Sequence, residues 1–390
     1  MASTASKPDI YQRPYIGGQA VIEGVMMRSP RSTAIVVRRR SGALVVRERA
    51  MPDPRKGPLA LPLVRGVVTL VEAIRLGSQA LRFSAEQYEE DLEQEERDKQ
   101  QAGTSKPVTS DPKTGPLNTL TVWIAALAVS DLDGSATSSS GGKSSSMMTW
   151  VALLFAVGLF VAFPQALAAL ASRLFHVDFD LRSPAFQAMT GVFKLLIVVG
   201  YMLVIRRIKE IRRVFEYHGA EHKAIATYEA HEPLDVEHAR AKSRLHPRCG
   251  TTFLVMVVFV SVLVFSAIGP LLPKLPASGV AEHVLFLLMK LPFLPVIAAI
   301  TYEIQRLTAR YCLTGPLRMT LYPGFAVQRI TTIAPDDAQI EVALAALRAT
   351  LWREEAAGAV APGQRTTRYE SFSELMQQPA YGANGRADAT

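Results

Sequence analysis

The stretch Thr251–Leu272, TTFLVMVVFVSVLVFSAIGPLL, decides the class of this protein because it contains no charged residue. A helix of ~20 mostly apolar residues is long enough to cross the hydrocarbon core of a bilayer. Met147–Ala171 is also uncharged and is similarly long. Each of these two stretches therefore predicts a membrane-spanning helix.

Two further apolar stretches each contain a lysine and predict two more spans. Pro184–Ile205 includes Lys194, and Val284–Ile304 includes Lys290. Long lysine side chains can extend along an apolar helix, and we expect both to reach toward the outer face. The 390-residue chain is 49% hydrophobic and 20% charged, which is too apolar for an ordinary soluble enzyme and too polar for membrane helices alone. The sequence predicts an α-helical multi-pass membrane protein with a small cytosolic α+β part.

The distribution of basic residues predicts how the chain is oriented. Arg206–Arg248 contains ten lysine and arginine residues, whereas the loop between the first two spans offers only Arg173 and Arg182. The loop between the last two spans offers only Lys274. Because short cytosolic loops are enriched in lysine and arginine, we expect a multi-pass protein of the bacterial inner membrane, the cell membrane, with the middle loop and both termini in the cytosol.

Composition favours lipid over nucleic acid as the partner of this chain. The net charge is +8, but no basic stretch is interleaved with aromatic residues, so nucleic-acid binding is not predicted. The lipid bilayer and other membrane proteins are the expected partners, and the oligomeric state is not indicated. Two cysteines, Cys249 and Cys312, are too few for a disulfide framework and favour a reducing compartment. The polar start, Met1–Pro14, predicts no cleaved signal peptide.

Changes of pattern divide the chain into nine segments. Ile16–Met27, Ser32–Arg39 and Ala43–Arg49 predict strands. Met319–Ile333 predicts an extended segment, and PDD at residues 335–337 predicts the start of a helix. The segments are a cytosolic β-rich part (1–58), an amphipathic helix (59–84), a disordered linker (85–116), an apolar stretch with a Ser/Gly-rich insert (117–146), the first two spans (147–205), a cytosolic His/Cys loop (206–250), the last two spans (251–304), a cytosolic strand and helix (305–356) and a disordered tail (357–390).

The first candidate site is the sequence HGAEH at residues 218–222. His218 and His222 are four residues apart and would share one helix face, so both could bind one metal ion. Glu221 stands where zinc peptidases of the inverted H-x-x-E-H type carry the base for a metal-bound water. The alternative is an ordinary polar helix end, and Gly219 weakens the helix.

The second candidate site is HPRCG at residues 246–250, which resembles the knuckle of a zinc ribbon with histidine in the first position. An imidazole and a thiolate are suitable zinc ligands. The alternative is a turn before a span, with Cys249 simply packed. Four ligands, including His246, would form a closed structural site, whereas three ligands plus water would form an open catalytic site. The sequence leaves both arrangements open.

Two carboxylates outside these motifs are further candidates. Glu23 interrupts an apolar run, so we expect it to pair with Arg28 or Arg65 or to act as a metal or proton ligand. Glu303 ends the last span and is followed by arginines at helical spacing, which favours a local ion pair. A second option is that Glu303 closes the metal site.

The motif-bearing segments resemble a known family. Gly17–Arg28, Arg213–Lys223, His246–Thr252 and Pro335–Leu347 are similar to the YqhQ-like family of bacterial membrane proteins, which is described as a domain of unknown function and as predicted metal-dependent enzymes. The resemblance covers Tyr15–Leu351. It implies a membrane location and a bound metal, but it implies no reaction.

Two functions follow from these patterns. One is a zinc-dependent (or other divalent metal-dependent) membrane hydrolase with Glu221 as the general base. The other is a non-enzymatic membrane scaffold or partner protein with a structural zinc site. A transporter is a third alternative, suggested only by the lysines within the predicted spans. The sequence specifies neither the substrate nor the metal.

Overall fold

The computed structural model describes residues 13–52, 57–101, 151, 154–177, 179–273, 279–312, 316–356 and 363–382. The apolar stretch Leu117–Val129 and the Ser/Gly-rich insert lie outside these residues. The strands are β1 (Gly17–Val21), β2 (Gly24–Arg28), β3 (Ser32–Arg38), β4 (Leu44–Ala50) and β5 (Gln364–Tyr369). The helices are α1 (Val64–Gln101), α2 (Leu154–Leu174), α3 (Pro184–Ile205), α4 (Lys209–Glu229), α5 (Val236–Ala241), α6 (Gly250–Ile268), α7 (Val280–Lys290), α8 (Leu294–Tyr311), α9 (Tyr322–Thr331), α10 (Asp337–Glu355), α11 (Phe372–Gln377) and α12 (Pro379–Gly382).

The strands form one antiparallel sheet in the order β1-β2-β3-β4-β5. Its central strands β2 and β3 are buried on both sides because both faces are covered. Val25 and Val36 belong to the core shared with α4 and α10, whereas Val37 and Val45 contact α1 through residues such as Phe83. The sheet therefore lies between two helical layers.

The predicted first strand, Ile16–Met27, is wrong as a single element. It is two strands joined at Ile22-Glu23, and Glu23 has a positive φ of 50°. Tight two-residue connections between antiparallel strands require such left-handed backbone. The apolar residues on both sides of the turn hid it in the sequence.

The predicted disordered tail, 357–390, is wrong over its central part. β5 pairs with β4 along its whole length, with Val46 opposite Thr367. Tyr369, Leu375 and Tyr381 then bury their side chains in the core of the sheet and α10. Three well-spaced core residues anchor an otherwise polar segment.

The predicted disordered linker, 85–116, is also wrong as far as Gln101, because α1 continues to that residue. Arg39 donates to Asp91 at 2.7 Å and to Glu90 at 2.8 Å, which ties the acidic part of α1 to the β3–β4 turn. Ion pairs at helical spacing also support this part of the helix.

The prediction that Met319–Ile333 is extended is wrong. Pro316–Leu321 forms a 3-10 turn and α9 follows, with Pro323 in its first turn, where proline favours helix. By contrast, α10 begins where predicted. Asp336 caps it and Gln339 returns the hydrogen bond, forming a capping box.

Four helices in the described part of the chain are long and apolar enough to cross a membrane. They are α2, α3, α6 with its 3-10 extension to Leu271, and α7 with α8, which are joined by a 3-10 turn at Leu291–Phe293. Between 17% and 33% of each apolar window is buried inside the structure. Most residues of these windows are therefore at least partly exposed.

Candidate metal centre

Helix α4 brings the two histidines of the HGAEH motif together. His218 and His222 lie one turn apart on one face, and their ring centroids are 4.5 Å apart. His222 is buried, and His218 is half-buried. The predicted helical pairing of the histidines matches this geometry.

Cys249 joins the histidines from the start of α6. It is the N-cap residue of that helix, and its Sγ lies 3.2 Å from His218 Nε2. The ligand atoms of His218, His222 and Cys249 all lie within 4.8 Å of one another. One ion could contact all three atoms after small side-chain adjustments, because zinc lies ~2.0–2.3 Å from such ligands.

The second ring nitrogen of each histidine contacts a backbone carbonyl. His218 Nδ1 is 3.0 Å from the oxygen of Thr331, and His222 Nδ1 is 2.5 Å from that of Arg244. A carbonyl only accepts, so Nδ1 of both rings must donate, and both Nε2 atoms are left to bind a metal. Metal-binding histidines commonly have such carbonyl partners.

Gly219 allows the segment that follows α9 to pack closely against α4, which places the Thr331 carbonyl beside His218. A Cβ at this position would collide with the backbone oxygen of Ile333. The Ile333 amide also donates to Phe215 oxygen at 2.9 Å, which holds the segment after α9 against α4. The glycine that weakens the helix in the sequence is thus a packing requirement.

Two glutamines that the sequence analysis missed hold the cysteine loop. Gln328, fully buried on α9, accepts from the His246 amide at 2.9 Å and donates to the His246 carbonyl at 2.7 Å. Gln305 on α8 donates to the Cys249 carbonyl at 3.1 Å. No motif marks either residue, because their role depends on contacts between distant helices.

Glu221 is buried beside the cluster and packs against β1. Its relative exposure is 5%, and a Cβ on Gly18 would lie 2.8 Å from Glu221 Oε1. Burial raises the pKa of Glu221, although His218 and His222 oppose the rise. Gly18 therefore leaves the space that this carboxyl group occupies.

Cys249 and His218 shift each other's pKa in opposite directions. Burial alone would raise the pKa of Cys249, but His218 and His222 hold it well below its usual range. Burial alone would lower the pKa of His218, but the Cys249 thiolate raises it to about 9. A thiolate is the form of cysteine that binds metals.

The structure gives His246 a different partner. Its Nε2 lies 3.1 Å from Glu229 Oε2, and Glu229 also pairs with Arg248. The His246 ring is near that of His222, with centroids 5.7 Å apart. His246 therefore lies beside the three clustered ligands but is engaged with a carboxylate.

The remaining candidates are ion-paired away from the cluster. Glu23 pairs with Arg213 and accepts from Tyr217 at 3.2 Å, so the predicted pairing is right in kind but wrong in partner. Arg28 pairs with Glu72 at 2.5 Å. Glu303 pairs with Arg65 at 2.5 Å, which contradicts the expected local pair on its own helix.

The donor set of two imidazoles and one thiolate fits zinc better than magnesium or calcium, which prefer oxygen ligands. Both rings have their Nδ1 atom fixed by a carbonyl, and the histidines lower the pKa of the thiol. Three well-oriented donors leave one tetrahedral position for a fourth ligand.

Comparisons with known proteins identify a family and give no function. A family model described as "Protein of unknown function (DUF1385)" matches residues 61–353. "Uncharacterized protein YqhQ" of Bacillus subtilis (strain 168) is 29% identical over 370 residues, which cover 94% of this chain and 97% of that protein. No solved structure matches the chain. The metal-dependent activity implied by the resemblance is not part of these descriptions and stays a prediction.

Proposed function

The chain belongs to the DUF1385 family, whose function is unknown, and we propose that it is an integral membrane protein that binds zinc through His218, His222 and Cys249. The observation that carries the proposal is the meeting of these three ligand atoms within 4.8 Å. Carbonyl partners on both histidines support it further. The site lies where α6 enters the apolar bundle, on the side that we assign to the cytosol.

The reaction class that best fits an open site is metal-assisted hydrolysis. Three protein ligands would leave one position of a zinc ion open, and the ion would supply the Lewis acidity for hydrolysis. Glu221 is the proposed general base. Burial raises its pKa, and a base works best when its pKa lies near the working pH.

A structural role for the same ion is the second candidate. His222 is 2% exposed and Cys249 is 7% exposed, and burial of this degree is also typical of closed sites. In this role the ion links α4, which packs on the sheet, to α6 of the apolar bundle. The protein would then act as a membrane scaffold.

Metal content tests the shared part of both candidates. We expect His218→Ala and Cys249→Ala to lose most of the zinc that the purified wild-type protein retains, measured by elemental analysis. His238→Ala is the matched control, because His238 is exposed and contacts Asp235 at 2.7 Å, outside the cluster. Full zinc content in both cluster variants would rule out the site.

Glu221→Gln separates the two candidates. General-base catalysis contributes ~100-fold to ~10,000-fold in rate, so an open site predicts a folded, zinc-loaded variant that fails to complement a deletion strain. Glu210→Gln is the control, because Glu210 is exposed in the first turn of the same helix. Full complementation by zinc-loaded Glu221→Gln would favour the scaffold.

A further inference from the structure

A cleft next to the metal cluster opens between α1, the start of α6 and the end of α8, and none of the three proposed metal ligands is among its lining residues. Its volume is about 830 Å³, and it is open on one side. Four arginines contribute to its lining, together with two tyrosines. They are Arg65, Arg248, Arg306, Arg310, Tyr15 and Tyr302.

Two of these arginines already have carboxylate partners. Arg65 pairs with Glu303, and Arg248 pairs with Glu229 while its guanidinium lies 4.6 Å from the ring centroid of Tyr15. These contacts hold the two guanidinium groups in fixed positions at the cleft wall. Their charges are largely balanced.

The other two arginines leave the cleft with an excess of positive charge. Arg306 and Arg310 lie one turn apart on α8, and both are exposed. Among the described residues, no carboxylate lies within ion-pair distance of either one. Glu303 interacts electrostatically with Arg306 but is already paired with Arg65, and Arg310 lies 5.4 Å from the centroid of the Tyr311 ring, so neither contact removes the excess charge.

The backbone at the start of α6 adds to the positive electrostatic potential of the cleft. Gly250 lines the cleft and has open space where a side chain would be. It is the first residue of α6, so the positive end of that helix faces the cleft. Arginine guanidinium groups bind phosphate oxygens in pairs, which makes this combination suited to a phosphate group.

An apolar segment adjoins the cleft at Ala60, which lines it. The segment before α1 exposes Leu59, Leu61 and Leu63, with 43%, 57% and 45% of each residue accessible. This segment leads directly to Arg65 and to Gly66, which packs against α8. A molecule with a phosphate group and an apolar chain would match both parts of the surface.

We propose that this cleft binds the phosphate group of an anionic membrane phospholipid, with Arg306 and Arg310 contacting the phosphate oxygens and the Leu59–Leu63 segment contacting the acyl chains. This site is independent of the metal ligands. It would fix the protein against the inner leaflet through one bound lipid.

Native mass spectrometry of the full chain released from nanodiscs tests this proposal. The nanodiscs contain equal parts of phosphatidylglycerol and phosphatidylcholine. Wild type is expected to retain phosphatidylglycerol. Arg306→Gln combined with Arg310→Gln should retain it about tenfold more weakly or worse, because each surface arginine contributes measurably to anionic-lipid binding.

Arg207→Gln combined with Arg318→Gln is the matched control. Both residues are exposed and neither lines the cleft, so the control removes the same charge from other positions. Equal lipid loss in both double variants would indicate diffuse surface attraction and overturn the proposal, as would unchanged binding in Arg306→Gln/Arg310→Gln. An unaltered melting temperature and zinc content are required to show that this variant folds.

The two sources of a phosphate group are distinguished by competition. Bound phosphatidylglycerol should resist millimolar inorganic phosphate, because the acyl chains contribute to binding. Displacement by inorganic phosphate alone would overturn the lipid assignment and identify a soluble phosphate as the ligand. The metal proposal would be unaffected by either result.

Discussion

Helices α10 and α6 show opposite relations between the polarity of a helix and its burial. In α10, 14 of 19 residues are buried, including Arg348, Arg353 and Glu354. Helix α6 is far more hydrophobic, yet 33% of its apolar window is buried. Leu263 on this helix is 69% exposed. The more polar helix is thus inside the protein, and the more apolar helix is at its surface.

This reversal of the usual pattern is explained by what surrounds each helix. Exposing large apolar side chains to water costs roughly 25 cal/mol per Å², so the surface of α6 is the kind that lipid would stabilise, as the proposed membrane location expects. The buried polar groups of α10 instead have partners. Arg348 donates to the carbonyls of Leu234 at 2.7 Å and Tyr381 at 3.0 Å, and Glu354 accepts from Ser29 at 2.6 Å.

The largest expected effect is an all-or-none difference in thiol labelling, which shows on which side of the membrane each loop lies. Ser41→Cys, in the β3–β4 turn, should react with a membrane-impermeant thiol reagent only after cells are opened, whereas Val177→Cys, between α2 and α3, should react in intact cells. Both positions are exposed, and the natural Cys249 and Cys312 are buried, so background labelling should be low. Labelling of Ser41→Cys in intact cells would invert or abolish the proposed topology.

Removing core volume from α10 should produce the next largest effect. Leu344 is fully buried, so Leu344→Ala should lower the free energy of unfolding of the sheet region by ~2–5 kcal/mol. Hydrogen exchange of the α10 amides measures this change. Leu196→Ala is the control, because Leu196 on α3 is 61% exposed and should barely change the same amides.

A charge on the exposed surface of α6 should show whether this surface faces lipid or water. In water, an exposed Leu263→Arg change would cost within about 0.5 kcal/mol. In a bilayer, arginine near the centre of a span costs ~2.5–3.5 kcal/mol in insertion free energy. We expect a clear loss of Leu263→Arg protein from the membrane fraction, measured against Leu263→Ala. Normal recovery would contradict a lipid-facing α6.

The smallest expected effect is a pH dependence in the sheet core. Glu48 is 1% exposed, and burial raises its pKa. The folded state therefore holds this proton more tightly than the unfolded state, so stability is greatest at low pH and falls as pH rises through the folded pKa. Glu48→Gln should weaken this dependence, measured as the melting-temperature difference between about pH 4 and about pH 7. An unchanged difference would assign the dependence to other groups.

The sequence allowed the apolar helices and the histidine pair to be predicted, since both depend on local pattern. An uncharged run is long enough to be recognised by itself, and His218 and His222 share a helix face through their spacing alone. Cys249 was identified because proline and glycine mark a loop at the start of a span. These features require no knowledge of which distant segments meet.

The features that could not be predicted depend on distant contacts. β5 is a polar edge strand that becomes recognisable only when β4 is beside it. The acidic end of α1 is ordered by Arg39, and Gln328 has a role only because α9 lies against the cysteine loop. Proline in the first turn of α9 is a helix signal within the sequence itself, and the prediction of an extended segment did not use it.

The pairing of β4 with β5 has a consequence for the order of events during protein synthesis. Arg47 and Thr366 lie side by side, although 319 positions separate them in the chain. A ribosome therefore releases β1–β4 long before it makes α10 and β5, and all four apolar helices emerge in between. The early strands therefore lack α10 and β5 until those helices have been made, and long-range pairing of this kind slows folding.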